Sequence, residues 1–172
     1  MPERQKRQAK ILELLQNAHE PLRGEDLAAR CHVTRQVVVH EIALIKARGV
    51  PIVSTPRGYY LSGLPEGMEQ TILSVHHMPE QTEDELYTLV DHGIVVENVM
   101  IEHPIYGELQ GALHLRSRQD VRDFMHEVSK AHGALLSSLT QGDHLHTVSY
   151  RDLRQLDQAI AVLRTKHIDA RR

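Results

Sequence analysis

The sequence predicts an α+β chain in two parts: a winged helix-turn-helix over residues 1–62, then a ferredoxin-like, split βαβ domain over residues 68–172. Three observations predict it. Before residue 62, apolar residues recur three times at helical spacing and then fall into a short hairpin. The segment SGLPEG at 62–67 gathers Gly, Pro and Ser and reads as a linker. Beyond it, strand and helix patterns follow in the order β-α-β-β-α-β-α.

The first part is justified element by element. Ile11, Leu12, Leu14 and Leu15 form the stripe of a first helix. GEDLAARC (24–31) gives a second, with Leu27 and Ala28 inward and acids in the first turn, where the helix dipole favours negative charge. Thr34 caps a third helix that runs to about Arg48, with Gly49 as its stop and Val38, Ile42 and Ile45 inward. PIVSTPRGYYL (51–61) supplies two strands around the turn-forming Pro56-Arg57-Gly58. A helix in this setting meets the major groove with its N-terminal residues. Here those are Thr34, Arg35, Gln36 and, a turn later, Val39 and His40. Arg35 can pair with guanine and Gln36 with adenine, both bidentate. Arg57 at the hairpin tip suits a minor groove or a phosphate, and Lys6, Arg7 and Lys10 suit phosphates.

Charge supports a division of labour. Residues 1–62 carry ten Lys/Arg against six Asp/Glu, and residues 63–172 carry ten against seventeen, so a basic front precedes an acidic back. The single cysteine, Cys31, excludes an internal disulfide and reads as a buried core residue. No apolar run is long enough to span a bilayer, and no apolar core follows the basic N-terminus, so a cytoplasmic chain without a membrane partner is expected. No P-loop, Gly-rich dinucleotide motif or nucleophile elbow is present, which argues against an enzyme.

In the second part, strands are expected at 69–78, 94–103, 105–115 and 144–150, and helices at 79–93, 116–133 and 152–167. Ten of the 13 histidines lie here, which makes metal ligation the chemistry to examine. His144 and His146 are two apart in a strand, so both imidazoles point to one face. His76 and His77 end the first strand, ahead of a helix rich in Glu80, Glu83, Asp84 and Glu85. On a helical wheel Asp84 lies opposite the apolar stripe, while Glu83 and Glu85 sit on its two flanks, and periodicity does not choose between them. Three imidazoles and a carboxylate would suit zinc, nickel, iron or cobalt.

The blocks HHMPE…DEL (76–86), IEHPIYGEL (101–109) and GDHLHTV (142–148) resemble the signature of the three-histidine, or 3H, domain, and 33–61 resembles the winged helix-turn-helix joined to it. That family is one of nicotinate-responsive repressors of NAD biosynthesis and niacin uptake genes. The resemblance implies four metal ligands, His77, Glu85, His144 and His146, holding one divalent transition metal per chain, nickel or zinc. It also implies nicotinic acid as co-repressor and a homodimer on palindromic operator DNA. His103 matches a signature position outside the ligand set. It either lines an effector pocket with Tyr106 or holds its turn by hydrogen bonding. Arg116, Arg118, Ser138 and Thr140 are candidates for the effector's carboxylate. His114 and His126 read as surface or satisfied histidines. The alternative function is a metal-responsive repressor, in which the ion is itself the signal.

Overall fold

Residues 2–172 are described by a computed structural model, in two compact units, 1–63 and 64–172. The first contains α1 (Glu3–Gln16), α2 (Gly24–Cys31), α3 (Arg35–Ala47), β1 (Ile52–Thr55) and β2 (Gly58–Leu61). Ile11, Leu15, Leu27, Val38, Ile42 and Ile45 meet in its core. Their helical spacing forms the helices' inward faces, and burial of those faces from water holds the unit together. His32 ends α2 in the left-handed region, at φ 55°, and turns the chain toward α3. Thr34 Oγ1 then caps α3 by accepting the Val37 N–H at 3.4 Å.

The hairpin pairs antiparallel, Ile52 with Leu61 and Thr55 with Gly58. It is docked by two backbone bonds between Leu22 and Tyr59, each 2.8 Å. Gly58 makes that approach possible. Its φ is +132°, and an added Cβ would lie 2.3 Å from the Leu22 carbonyl oxygen. Gly58→Ala is therefore expected to cost about 3 kcal/mol, through backbone strain and loss of the docked wing. A thermal midpoint equal to the wild type's would refute this.

The second unit runs β3 (Glu69–His76), α4 (Thr82–Asp91), β4 (Val95–His103), β5 (Gly107–Leu115), α5 (Arg118–Lys130), β6 (Asp143–Tyr150), α6 (Leu153–Thr165) and β7 (Asp169–Arg171). The sheet order is β5-β4-β6-β3-β7, antiparallel throughout. α4 packs on both α5 and α6, and the three helices cover one face of the sheet. Leu73, Val75, Leu86, Leu89, Val96 and Val148 lie in the core between them.

The α+β sandwich with a split βαβ is present: β6 separates β3 from β4. Its strand order is a variant of the ferredoxin-like one. There the fourth strand takes the edge beside the first. Here β7 holds that edge, β6 moves inside between β3 and β4, and β5 goes to the far side. The sequence gives no signal for β7, which is three residues long. Two boundaries also differ. β3 stops at His76, two residues early, and Pro79–Gln81 form a 3-10 turn ahead of α4. α5 begins at Arg118 because Ser117 and Asp120 form a reciprocal cap. A second 3-10 turn, Leu136–Thr140, leads into β6.

Candidate functional site

The interior position of β6 decides what its histidines face. His144 is paired with Val75 and His146 with Leu73. Directly paired residues share a face, and Leu73 and Val75 belong to the helix-covered core. Both imidazoles therefore point inward under α4, 5% and 3% exposed. α4 presents Thr82, Glu85, Leu86 and Leu89 to the same interior, while Glu83 and Asp84 face solvent. His77, just past the end of β3, is buried, whereas His76 is exposed and bonds Asp143 at 2.7 Å.

Three imidazoles converge on the Glu85 carboxylate. His77 Nε2 lies 2.5 Å from Oε2, His144 Nε2 3.4 Å from Oε2, and His146 Nε2 3.0 Å from Oε1. One ligand atom from each of His77, Glu85 and His144 falls within 4.8 Å of the others. The rings stand edge to face, His77–His144 at 4.9 Å and His144–His146 at 4.8 Å between centroids.

The other ring nitrogens are fixed from behind. His77 Nδ1 bonds the Met78 carbonyl at 2.7 Å, His144 Nδ1 that of Gly142 at 2.9 Å, and His146 Nδ1 that of Asn98 at 2.6 Å. A carbonyl only accepts, so each Nδ1 carries the proton, and in a neutral ring each Nε2 holds a lone pair. This is the outer-shell arrangement that orients metal-ligating histidines. Three lone pairs then face a carboxylate, with no donor among them. Glu85 Oε1 and His146 Nε2 are in fact buried without a hydrogen bond. A proton on His146 would pair those two atoms, 3.0 Å apart, and still leave the lone pairs of the other two rings facing the same carboxylate. A divalent cation gives every one of these atoms a partner, so the donor set fits a metal.

In the absence of an ion, the carboxylate and the imidazoles hold one another's charge. Burial alone would raise the Glu85 carboxyl, but His146, His144 and His77 outweigh it and hold it well below the usual carboxylate range. Burial alone would lower His77 and His146, and Glu85 outweighs it and raises both.

Gly142 links the strands that carry the candidate ligands. Its φ is +101°, its carbonyl takes the His144 Nδ1–H and also the His77 backbone N–H at 3.4 Å, and a Cβ there would lie 2.3 Å from the His77 oxygen. Sequence reasoning did not single this glycine out, although it opens the GDHLHTV block.

His103 and Tyr106 are not among the converging groups. His103 Nδ1 accepts the backbone N–H groups of Ile105 and Tyr106 at 3.2 and 3.3 Å, so it holds the β4–β5 turn. Tyr106 stacks on it at 5.0 Å and is 73% exposed. Arg118 is engaged by Asp91 at 2.5 and 2.7 Å, and Thr140 by Asp143 and Ser137. His114 bonds Glu97 at 2.9 Å.

In the first unit, Gln36, Val39 and His40 are exposed on α3. Thr34 spends its hydroxyl on the cap. Arg35 is exposed, but the stem of its side chain lies over Gly24. Arg57 sits at the hairpin turn, its N–H on Thr55 Oγ1 at 3.2 Å.

Comparison with known proteins matches a 3H domain to residues 70–171 and an HTH domain to residues 7–60. The chain is 40% identical over 160 residues to a protein of Bacillus subtilis named transcription repressor NadR, covering 91% of this chain and 89% of that one. It is 36% identical over 163 residues to a protein of Thermotoga maritima named probable transcription repressor NiaR, covering 95% and 93%.

Proposed function

The chain belongs to the 3H-domain family with an N-terminal helix-turn-helix, and on that premise we propose that it is a DNA-binding transcription repressor of NAD biosynthesis or niacin transport genes. α3 reads operator DNA as part of a homodimer, nicotinic acid is the co-repressor, and a divalent transition metal, nickel or zinc, is held in the second unit. Such a regulator acts in the cytoplasm. The observation that carries the sensor half is the convergence of His77, Glu85, His144 and His146, with every Nδ1 tied to a backbone carbonyl.

The four side chains would hold the metal, and it would supply a Lewis-acidic centre to which a pyridine nitrogen or a carboxylate can bind. The protein's own contribution is orientation. The carbonyls of Met78, Gly142 and Asn98 fix three rings, and α4 brings Glu85 to them. These groups lie on four separate stretches of the unit, so occupying them would tie β3, α4, β4 and β6 together. An effector shifts operator affinity only by binding one arrangement of the dimer better than another.

The test is a gel shift of the full chain on upstream regions of NAD and niacin genes, with metal and nicotinate titrated separately. Nicotinate is expected to tighten the complex at constant metal. A response to metal alone would instead support the ion as the signal. No dependence on nicotinate would sink the proposed co-repressor.

A further inference from the structure

Among the described residues of the first unit, Glu41 is the one buried acid, 3% exposed, and it lies on α3 beside the reading face. Its Oε1 accepts Arg7 Nε and Nη2 at 3.2 and 3.1 Å. Its Oε2 accepts Gln8 Nε2 at 2.6 Å and Arg4 Nε at 3.4 Å. Gln8 in turn accepts Arg48 Nη1 at 2.8 Å, and Arg4 Nη2 lies 3.3 Å from His40 Nε2. Burial alone would raise the Glu41 carboxyl, and Gln8 and Arg7 outweigh it, so the group is ionised at neutral pH.

A single guanidinium neutralises a buried carboxylate. This one gathers two directly and a third through Gln8, so the cluster of Arg4, Arg7, Arg48 and Glu41 carries a surplus of two positive charges. The surplus is not buried: the side chains of Arg4 and Arg7 are 50% and 27% exposed. It also has a direction, because Arg4 reaches His40, which stands on the exposed face of α3. Each guanidinium has five N–H donors, and Arg7 gives two of them to Glu41. Planar forks held rigidly from one side, with donors left on the other, match phosphate geometry.

We propose that Glu41 is a positioning residue that holds Arg4 and Arg7 as a phosphate clamp on duplex DNA, flanking the groove that α3 enters. The proposal rests on the reading of α3 as the DNA-reading helix. Phosphate contacts fix register and orientation, and base contacts from α3 would then specify sequence.

The experiment titrates the full chain against a fluorescent mixed-sequence duplex of about 30 bp, by anisotropy, over about 50–200 mM salt. Arg4→Gln and Arg7→Gln are each expected to flatten the slope of log affinity against log salt by about 1. Arg122→Gln, which removes the same charge from α5, leaves the slope unchanged. Arg4→Lys keeps the charge and loses the fork, so it keeps the slope but binds more weakly. Glu41→Gln separates positioning from simple charge. It adds net positive charge, so charge alone would tighten binding, whereas a released clamp weakens it by about threefold to tenfold. Wild-type slopes in both arginine variants, or Glu41→Gln binding as tightly as wild type, would overturn the clamp. If Glu41→Gln does not fold, Arg4→Gln and Arg4→Lys, at the exposed position, decide. A wild-type chain that binds no duplex would overturn the reading of α3 itself.

Discussion

Gly142→Ala is expected to dismantle the candidate metal site and destabilise the second unit together, by about 4 kcal/mol. Two costs add. The residue has φ +101°, where a side chain is strained, and its new Cβ would meet the His77 carbonyl oxygen at 2.3 Å and its carbon at 3.1 Å. Both neighbours are backbone, so no rotamer change relieves the contact. Whichever segment yields, a candidate ligand moves. Displacing residue 77 draws its ring from Glu85, and displacing residue 142 removes the acceptor of His144 Nδ1–H. Loss of one such outer-shell bond costs about 10–100-fold in metal affinity, and displacing a candidate ligand from the carboxylate acts in the same direction. Thermal unfolding and a calorimetric titration with zinc or nickel check both halves. A variant with wild-type midpoint and metal affinity within twofold would show that this glycine has no such role.

How much of this was legible in the sequence depends on the range of the interaction. The β6 histidines were readable because period 2 is a local property, and the strand pairing then had only to put that face inward. The carboxylate was not readable from the wheel. Glu83 and Glu85 flank the stripe equally, and only the position of α4 over β6 buries Glu85 and leaves Glu83 in solvent. The resemblance to the 3H domain selected Glu85 and His77, and the structure gives both a physical reason. Leu73, Val75 and His77 follow one strand alternation, so His77 continues the inward face just past the end of β3 while His76 faces solvent. β7 escaped notice because three residues, Asp169–Arg171, carry no pattern of their own and pair only because β3 has a free edge. Glu41 carries no local signal either: its burial is stabilised by partners more than thirty residues away on α1.

Removing the metal is expected to reverse the pH dependence of stability. In the apo chain, Glu85 raises His77 and His146 against the opposing effect of burial. A group whose folded pKa is raised stabilises fully below its unfolded value and loses that contribution as the pH rises through the folded value. The apo second unit therefore weakens as pH climbs from about 6.5, the ordinary histidine value. The metal-loaded unit follows the opposite course. It needs neutral imidazoles, so acid competes with the ion, and its stability falls as pH drops through the same range. At free metal about 1,000 times the dissociation constant, the loaded form gains about 4 kcal/mol near neutral pH, a rise of about 15–20 °C in the midpoint of a unit this size. Melting curves of chelator-treated and zinc- or nickel-loaded protein from about pH 5.5 to 8.5 measure this. Two parallel profiles would mean that the quartet is an ordinary buried ion-pair cluster. Crossing profiles would leave the two repressor readings to be separated by the operator. If the metal stabilises the unit at all concentrations that occupy it, while operator affinity changes only when nicotinate is added, then the ion is part of the folded sensor and the small acid is the signal it reports.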